Sequence, residues 1–566
     1  MRAPFLTVLA GAFIITAAAT KICDDVEYVG FERDGIKHYL GIKYAQDTSG
    51  ANRFKPPRPF LPEAGSKIDA RKPGPACPQP LGQLSPPLAV GNITEVSEDC
   101  LNLNIAKPRA IGANEKLPVM VWIHGGSFWY GSNMEPTTAP DGLIRQSIAN
   151  GLPVIHVRLN YRLGFFGFAQ STTLNKEGSL NAGLRDQRLG IEWVRDNIAR
   201  FGGDPNRITI LGQSSGGLAV GMQVLAYGGT KPLPFQRGVA QSQALEPGIT
   251  KNFSIDAMNV LAKSVGCIAT DVHSPETITC LREKDTATLL KASIDTYASD
   301  IAHNIGDIWL PAVDGDFLPA APSHLLAEGK FGNATFMTGW TQDDLNFYTN
   351  TSIATEKDTY NFIRAYLPGL TEDSLYDLLN LYSVEEFTAP PNSTLKPEFY
   401  RSARIFRDVI MVCPSLLYGN AVAKTHISPV YHYDFNQTIV DTILGSITNV
   451  SGLGVGHTSE FAYVFDSFHA YSTPENEVYP SREDVLLTVR ASRSWSSFAA
   501  TGRPTLEEHA TVKGWREAYD GANGPFIMAV GGPSEQLSRA GGEPEQKLVE
   551  RCGFLNDPVI IEALGY

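Results

Sequence analysis

The chain has 566 residues, 43% hydrophobic and 19% charged, with a formal net charge of -13 at pH 7. This balance excludes a largely disordered chain. With neither an acidic tail nor a basic cluster, it also excludes electrostatic capture of nucleic acid or anionic lipid.

The first twenty residues carry one charge, Arg2, then an apolar run from Pro4 to Ile15 and the small residues Thr16 to Thr20. This is the pattern of a signal peptide over residues 1–19, cut near Ala19 or Thr20. The run is short for an anchor helix, and no later apolar stretch is long enough to span a bilayer. The remainder, 20–566, reads as one domain, because large α/β enzymes often build a single sheet with long insertions and no internal repeat is visible. Export fits seven N-glycosylation sequons, at Asn92, Asn252, Asn333, Asn350, Asn392, Asn436 and Asn449.

Short strand-like runs between Asp24 and Tyr44, broken by Gly30 and Gly41, predict an antiparallel edge sheet. Proline-rich sequence without periodicity follows from Pro56 to Pro87. The stretch from Glu98 to Ile105 alternates like a strand, while Pro118 to His124 and Pro153 to Leu159 are near-continuous apolar runs, as expected of strands covered on both faces. Ile191, Val194, Ile198 and Phe201 share one helix face, which Gly202-Gly203 ends.

Ile208 to Leu211 predicts a strand that meets Gly212-Gln213-Ser214-Ser215-Gly216 and then an apolar run rich in helix formers. A strand that turns abruptly into a helix with serine at the tip has the form of a nucleophile elbow, although glycine-serine clusters also make plain loops. Further strands are predicted at Gly238–Ala244, Ala334–Gly339 and Val430–Phe435. Helical segments are predicted at Ala257–Leu290, Asp358–Leu381 and Val485–Ala500. Alternating strands and helices indicate an α/β fold with a mostly parallel sheet and helix-rich insertions.

Seven cysteines in an exported chain allow three bridges and leave one over. Cys77 with Cys100 and Cys267 with Cys280 would each close a short loop worth about 3 kcal/mol on the chain-entropy account. Spacing does not pair Cys23, Cys413 and Cys552, and no cysteine or histidine spacing suggests a metal site.

Acyl transfer by a serine needs a base for its proton and a third group to hold the base's tautomer. Eleven histidines compete for the base role. His124 precedes Gly125-Gly126-Ser127-Phe128 directly after a strand, where backbone N–H groups can face a developing oxyanion. His457 ends a glycine-rich loop that could present an imidazole.

Taken together, the elbow, Glu98 to Ile105, His124 to Phe128, Asn181 to Gln187, Phe201 to Pro205, the His457 loop and Trp495 to Pro504 resemble the type-B carboxylesterase/lipase family, the cholinesterase-like α/β-hydrolases, and within it the secreted fungal members. The resemblance implies an α/β-hydrolase fold and a secreted serine esterase without a cofactor. It makes Ser214 the nucleophile and His457 the base, with oxyanion donors at the N–H groups of Gly126, Ser127 and Ser215. It also implies disulfides Cys77–Cys100 and Cys267–Cys280.

The family's acid lies in a Gly-x-x-x-Asp-Glu-Gly motif. Here Gly339-Trp340-Thr341-Gln342-Asp343-Asp344-Leu345 puts Asp344 on that position, one methylene shorter, with Asp343 as the alternative. Gln213 stands where many members carry Glu, and the Cys77–Cys100 loop has no aromatic residue. The resemblance therefore points to neutral esters rather than choline esters. A lipase acting at an interface and a non-catalytic binding protein on the same scaffold are the rival readings.

Overall fold

The computed structural model describes residues 25–83, 88–111, 115–268, 270–300, 307–391, 393–426, 428–448, 450–473, 477–520, 524–532, 538–540 and 546–566. Its strands are β1 (Glu27–Val29), β2 (Phe31–Arg33), β3 (Ile36–Lys43), β4 (Lys67–Asp69), β5 (Gly82–Gln83), β6 (Asn92–Ile93), β7 (Asn102–Pro108) and β8 (Leu117–Ile123). They continue as β9 (Ile155–Leu159), β10 (Gly203–Gln213), β11 (Arg237–Gln241), β12 (Thr335–Thr341), β13 (Val430–Phe435), β14 (Ile527–Val530) and β15 (Ser538–Ala540). The predicted signal segment, Cys23, Asn392 and Asn449 lie outside the described residues.

Eleven strands form one sheet in the order β15-β14-β13-β12-β11-β10-β8-β9-β7-β3-β2. From β9 through β8, β10, β11, β12 and β13 to β14 every neighbour runs parallel, and antiparallel pairs close both edges. This is the α/β-hydrolase fold.

Strand periodicity divides the core between the two faces. Val119, Val121 and Ile123 of β8 enter one hydrophobic cluster, while Met120 and Trp122 enter the other. Every residue of β8, β9 and β13 is buried; β8 is apolar throughout, while β9 and β13 also bury His156, Arg158, His432 and Asp434. Each large apolar side chain buried this way contributes roughly 1.5–3 kcal/mol.

Several elements differ from the sequence expectation. The edge strand β1 pairs parallel with β4 in a separate two-stranded sheet, so only β2 and β3 form the predicted antiparallel edge. The strand expected from Glu98 starts at Asn102. Upstream of it, Glu98 is drawn into a buried ion pair with Arg53 at 2.6 Å, and Cys100 is bonded to Cys77. The helical run from Ala257 to Leu290 is three helices, Phe253–Ser264, Pro275–Glu283 and Thr286–Asp300; that from Asp358 to Leu381 is two, Glu356–Tyr366 and Glu372–Asn380. Gly266 and Pro275 part the first set, and Pro368-Gly369 parts the second.

Among the described residues, one helix is long and apolar enough to cross a bilayer, from Pro397 to His426, and most of it is buried in the core. It widens to a π-turn at Asp408–Val412, just before Pro414. Proline has no N–H to return to Ile410, and the Ile410 carbonyl instead accepts the Leu245 N–H at 3.2 Å. Disulfides join Cys77 to Cys100, Cys267 to Cys280 and Cys413 to Cys552. The third staples this helix to the helix Leu548–Leu555.

Candidate active site

Strand β10 delivers Ser214 to the first turn of the helix Ser215–Leu225. Ser214 is held at φ 59° and ψ -127°, a conformation that costs a non-glycine residue about 1–3 kcal/mol. Its N–H donates to the Gln241 carbonyl on β11 at 3.0 Å. A Cβ on Gly212 would overlap the Gly216 carbonyl, and one on Gly216 would overlap the Ile123 carbonyl. The elbow therefore needs glycine at both positions because backbone packs on backbone.

The loop His124 to Phe128 leaves β8 beside this turn. A Cβ on Gly125 would strike the Gln213 carbonyl and come within 3.2 Å of Ser214 Cβ. Ser215 Oγ accepts the Phe128 N–H at 3.2 Å and ties the loop to the elbow. The N–H groups of Gly126, Ser127 and Ser215 are given to no other acceptor among the described residues. His124 itself is buried and stacks on Tyr161 with ring centroids 4.5 Å apart. Burial holds its pKa down at about 4, so it stays neutral.

His457 is buried at the end of its loop, with Nδ1 2.5 Å from Asp344 Oδ1. The second Asp344 oxygen accepts Ser242 Oγ at 2.7 Å and the Thr341 N–H at 3.0 Å. Burial alone would raise the Asp344 carboxyl. The charge and hydrogen bond of His457, with the other two donors, bring it below its ordinary range. Asp343 turns elsewhere, its carboxylate accepting the Val455 N–H. The structure thus brings His457 and Asp344 together and leaves Asp343 on the loop backbone.

Two neighbours, Ser242 and Glu460, had no assigned role in the sequence, and a third, Gln213, was read only for its lack of charge. Ser242, at φ 44°, follows β11 and carries no motif of its own. Glu460 is fully buried; it accepts Gln241 Nε2 at 3.0 Å, and its other oxygen has no hydrogen-bond partner among the described residues. Burial, then the charge of Asp344, pushes its pKa up to about 7. Gln213 Nε2 lies 3.0 Å from His457 Nε2 and 3.3 Å from Nδ1, close to both ring nitrogens.

A cleft opens over Ser214, lined also by Leu88, Trp122, Glu135, Tyr348 and Phe461. The neutral Gln213 thus does not leave the pocket without a carboxylate. Glu135 lies in its wall, and of these aromatics Trp122 comes from β8, Tyr348 from the turn after β12 and Phe461 from the helix Phe461–Val464 rather than from the Cys77–Cys100 loop. The Glu135 oxygens accept the N–H groups of Val90 and Gly91, each at 3.0 Å, and Thr137 Oγ1 at 2.9 Å. Gln79 exchanges two hydrogen bonds, each 2.8 Å, with the Gly131 backbone. The disulfide loop is thereby fastened at two points, Gly131 and Glu135, to the segment that follows β8. Among the described residues no group of three or more His, Cys, Asp or Glu side chains is placed to hold a metal ion.

Residues 26–541 match the family described as the Carboxylesterase family. "Secreted lipase ARB07186/07185" of Arthroderma benhamiae is 46% identical over 564 residues, 98% of this chain and 97% of its own. "Inactive carboxylesterase-like protein VdtD" of Byssochlamys spectabilis is 36% identical over 94% of this chain and 92% of its own. Among solved structures, Aspergillus niger EstA matches with a TM-score of 0.75 over 95% of this chain and 98% of its own at 24% identity. A PNB esterase matches with 0.72 over 93% and 97% at 26% identity.

Proposed function

The chain belongs to the carboxylesterase family, and on that premise we propose that it is a secreted serine hydrolase cleaving small neutral carboxylic esters through an acyl-enzyme. The observation that carries this reading is the 2.5 Å His457–Asp344 pair in the cleft that Ser214 lines, beside the uncommitted N–H groups of Gly126, Ser127 and Ser215.

In the proposed reaction Ser214 Oγ attacks the ester carbonyl while His457 Nε2 takes its proton, and the oxyanion sits against those three N–H groups. Asp344 holds the Nδ1–H tautomer and stabilises the imidazolium. Collapse of the intermediate breaks the C–O bond, and His457 returns the proton to the leaving alkoxide. Water, losing a proton to His457, then attacks the acyl-enzyme; the acid departs and Ser214 regains its hydroxyl.

Neutral esters suit the cleft because the Glu135 charge is spent on backbone and hydroxyl donors. Export through a signal peptide at 1–19, with 20–566 as the catalytic domain, is supported by relatives named as secreted, including "Secreted lipase 1" of Botryotinia fuckeliana. Asn92, Asn252, Asn333 and Asn350 are exposed and suit glycosylation, and Asn436 is half-buried.

The relatives' names favour lipase activity as a second reading. Against an interfacial lid stand the fastenings of the disulfide loop and the prolines within it. The name of the inactive relative favours a non-catalytic role, yet Ser214 and His457 are both present here. A fluorophosphonate probe should add one label to the peptide holding Ser214, and hydrolysis of chromogenic esters should vanish in Ser214→Ala. Full activity of Ser214→Ala would overturn the reading.

A further inference from the structure

The loop that carries His457 lies in neither strand nor helix, so side chains must satisfy its backbone. Tyr400 donates its hydroxyl to the Gly452 carbonyl at 2.8 Å, and Asn346 Nδ2 donates to the Leu453 carbonyl at 2.9 Å. Gly454 N–H donates to Asp441 at 3.0 Å. Asp343 then closes a ring with Val455, its N–H donating to the Val455 carbonyl at 2.9 Å and its Oδ2 accepting the Val455 N–H at 3.0 Å. Gly454 sits at φ 71°, and a Cβ there would overlap the Asp343 carboxylate, so the contact requires glycine.

The geometry points to Asp343 as a positioning residue for the ester hydrolysis proposed above, on which this inference rests. The two adjacent aspartates hold the same histidine at different levels. Asp344 orients the ring, and Asp343 fixes the main chain two residues before it, so that His457 meets Asp344 in the cleft that Ser214 lines. Asp343 touches neither the imidazole nor the cleft. It lines a pocket with Gly452, Gly454 and Arg404, where burial raises its carboxyl above the ordinary range and the Arg404 charge opposes that shift. Positioning of this kind acts on the reacting geometry while leaving substrate binding alone, and a displacement of about 1 Å can cost on the order of 100-fold in rate.

The test compares kcat, KM and thermal unfolding of the full secreted chain and its variants on one soluble chromogenic ester. Asp343→Ala should lower kcat by roughly 10- to 100-fold with KM within about twofold. Asp343→Asn keeps an oxygen for the Val455 N–H and should stay within about threefold of wild type. Should Asp343→Ala fail to fold, Asn346→Ala, which frees the Leu453 carbonyl, should lower kcat with the same unchanged KM.

Loss in Asp343→Asn as large as in Asp343→Ala would overturn the inference, as would full kcat in both alanine variants or losses that simply track the unfolded fraction. Ser214→Ala is measured alongside. If it retains activity, the proposed reaction fails. If it is dead while the alanine variants at 343 and 346 run at full rate, only the positioning role fails.

Discussion

Asp344 divides its two oxygens, one 2.5 Å from His457 Nδ1 and the other shared by Ser242 Oγ and the Thr341 N–H. An amide at this position would have to turn an NH2 group toward one of these donors. Asp344→Asn should therefore disturb the imidazole tautomer and lower kcat by about 10⁴-fold, far more than Asp343→Asn. Steady-state kinetics of the two variants on one ester decide the matter, and the reverse order would move the orienting acid to Asp343.

Glu460 should make stability depend on pH. Its folded-state pKa lies near 7, against an ordinary 4.5, so between these values the folded chain keeps a proton that the unfolded chain has lost. Its contribution is fully present below the lower value and is lost as pH rises through about 7. Glu460→Gln removes the titration, so the variant should gain on wild type across this window by up to about 3 kcal/mol. Denaturant unfolding at pH 5 and pH 8 measures the gain, and a pH-independent difference would sink the assignment.

Leu88 stands in the cleft wall on a loop held by Glu135 and Gln79. Wild type should follow simple saturation with soluble esters and show no jump in rate at the solubility limit. Leu88→Ala should raise kcat/KM for longer esters relative to short ones by about tenfold, within the range that removing methylenes from a pocket commonly gives. An acyl-length series measures both. A sharp rise at the solubility limit would favour the lipase reading.

Replacing Cys413 and Cys552 by serine should cost roughly 2–5 kcal/mol and lower the melting temperature, with kcat at 25 °C unchanged because the bond lies away from the cleft. A loss of kcat in the fully folded variant would show that the staple reaches the site.

The elements that sequence reading located well are those whose signal is local. The limits of β13 are the predicted ones, and β8 shifts by one residue, because an uninterrupted apolar run between turn residues leaves little room for error. The elbow was legible because backbone contact forbids a side chain at Gly212 and Gly216. Other features depend on contacts made across long separations. The start of β7 depends on where Arg53 reaches Glu98, and the π-turn on Leu245 taking the carbonyl that Pro414 leaves free. Cys413 and Cys552 stand 139 residues apart, so no spacing argument pairs them. Ser242 is an ordinary serine until the fold places it on Asp344, and Glu460, three residues after His457, carries no sequence signal because its burial is not written in the sequence.

The Cys413–Cys552 staple also bears on the timing of biosynthesis. Its second cysteine lies in the helix Leu548–Leu555, so the bond cannot close until synthesis has passed Cys552. Asp344 and His457 are themselves 113 residues apart, with the stapled helix between them in sequence. If the chain is exported as proposed, Cys77–Cys100 and Cys267–Cys280 can close early, but His457 joins the cleft that Ser214 lines only much later. Reactivity of Ser214 toward a phosphonate during pulse-chase synthesis would thus serve as a clock for completed folding.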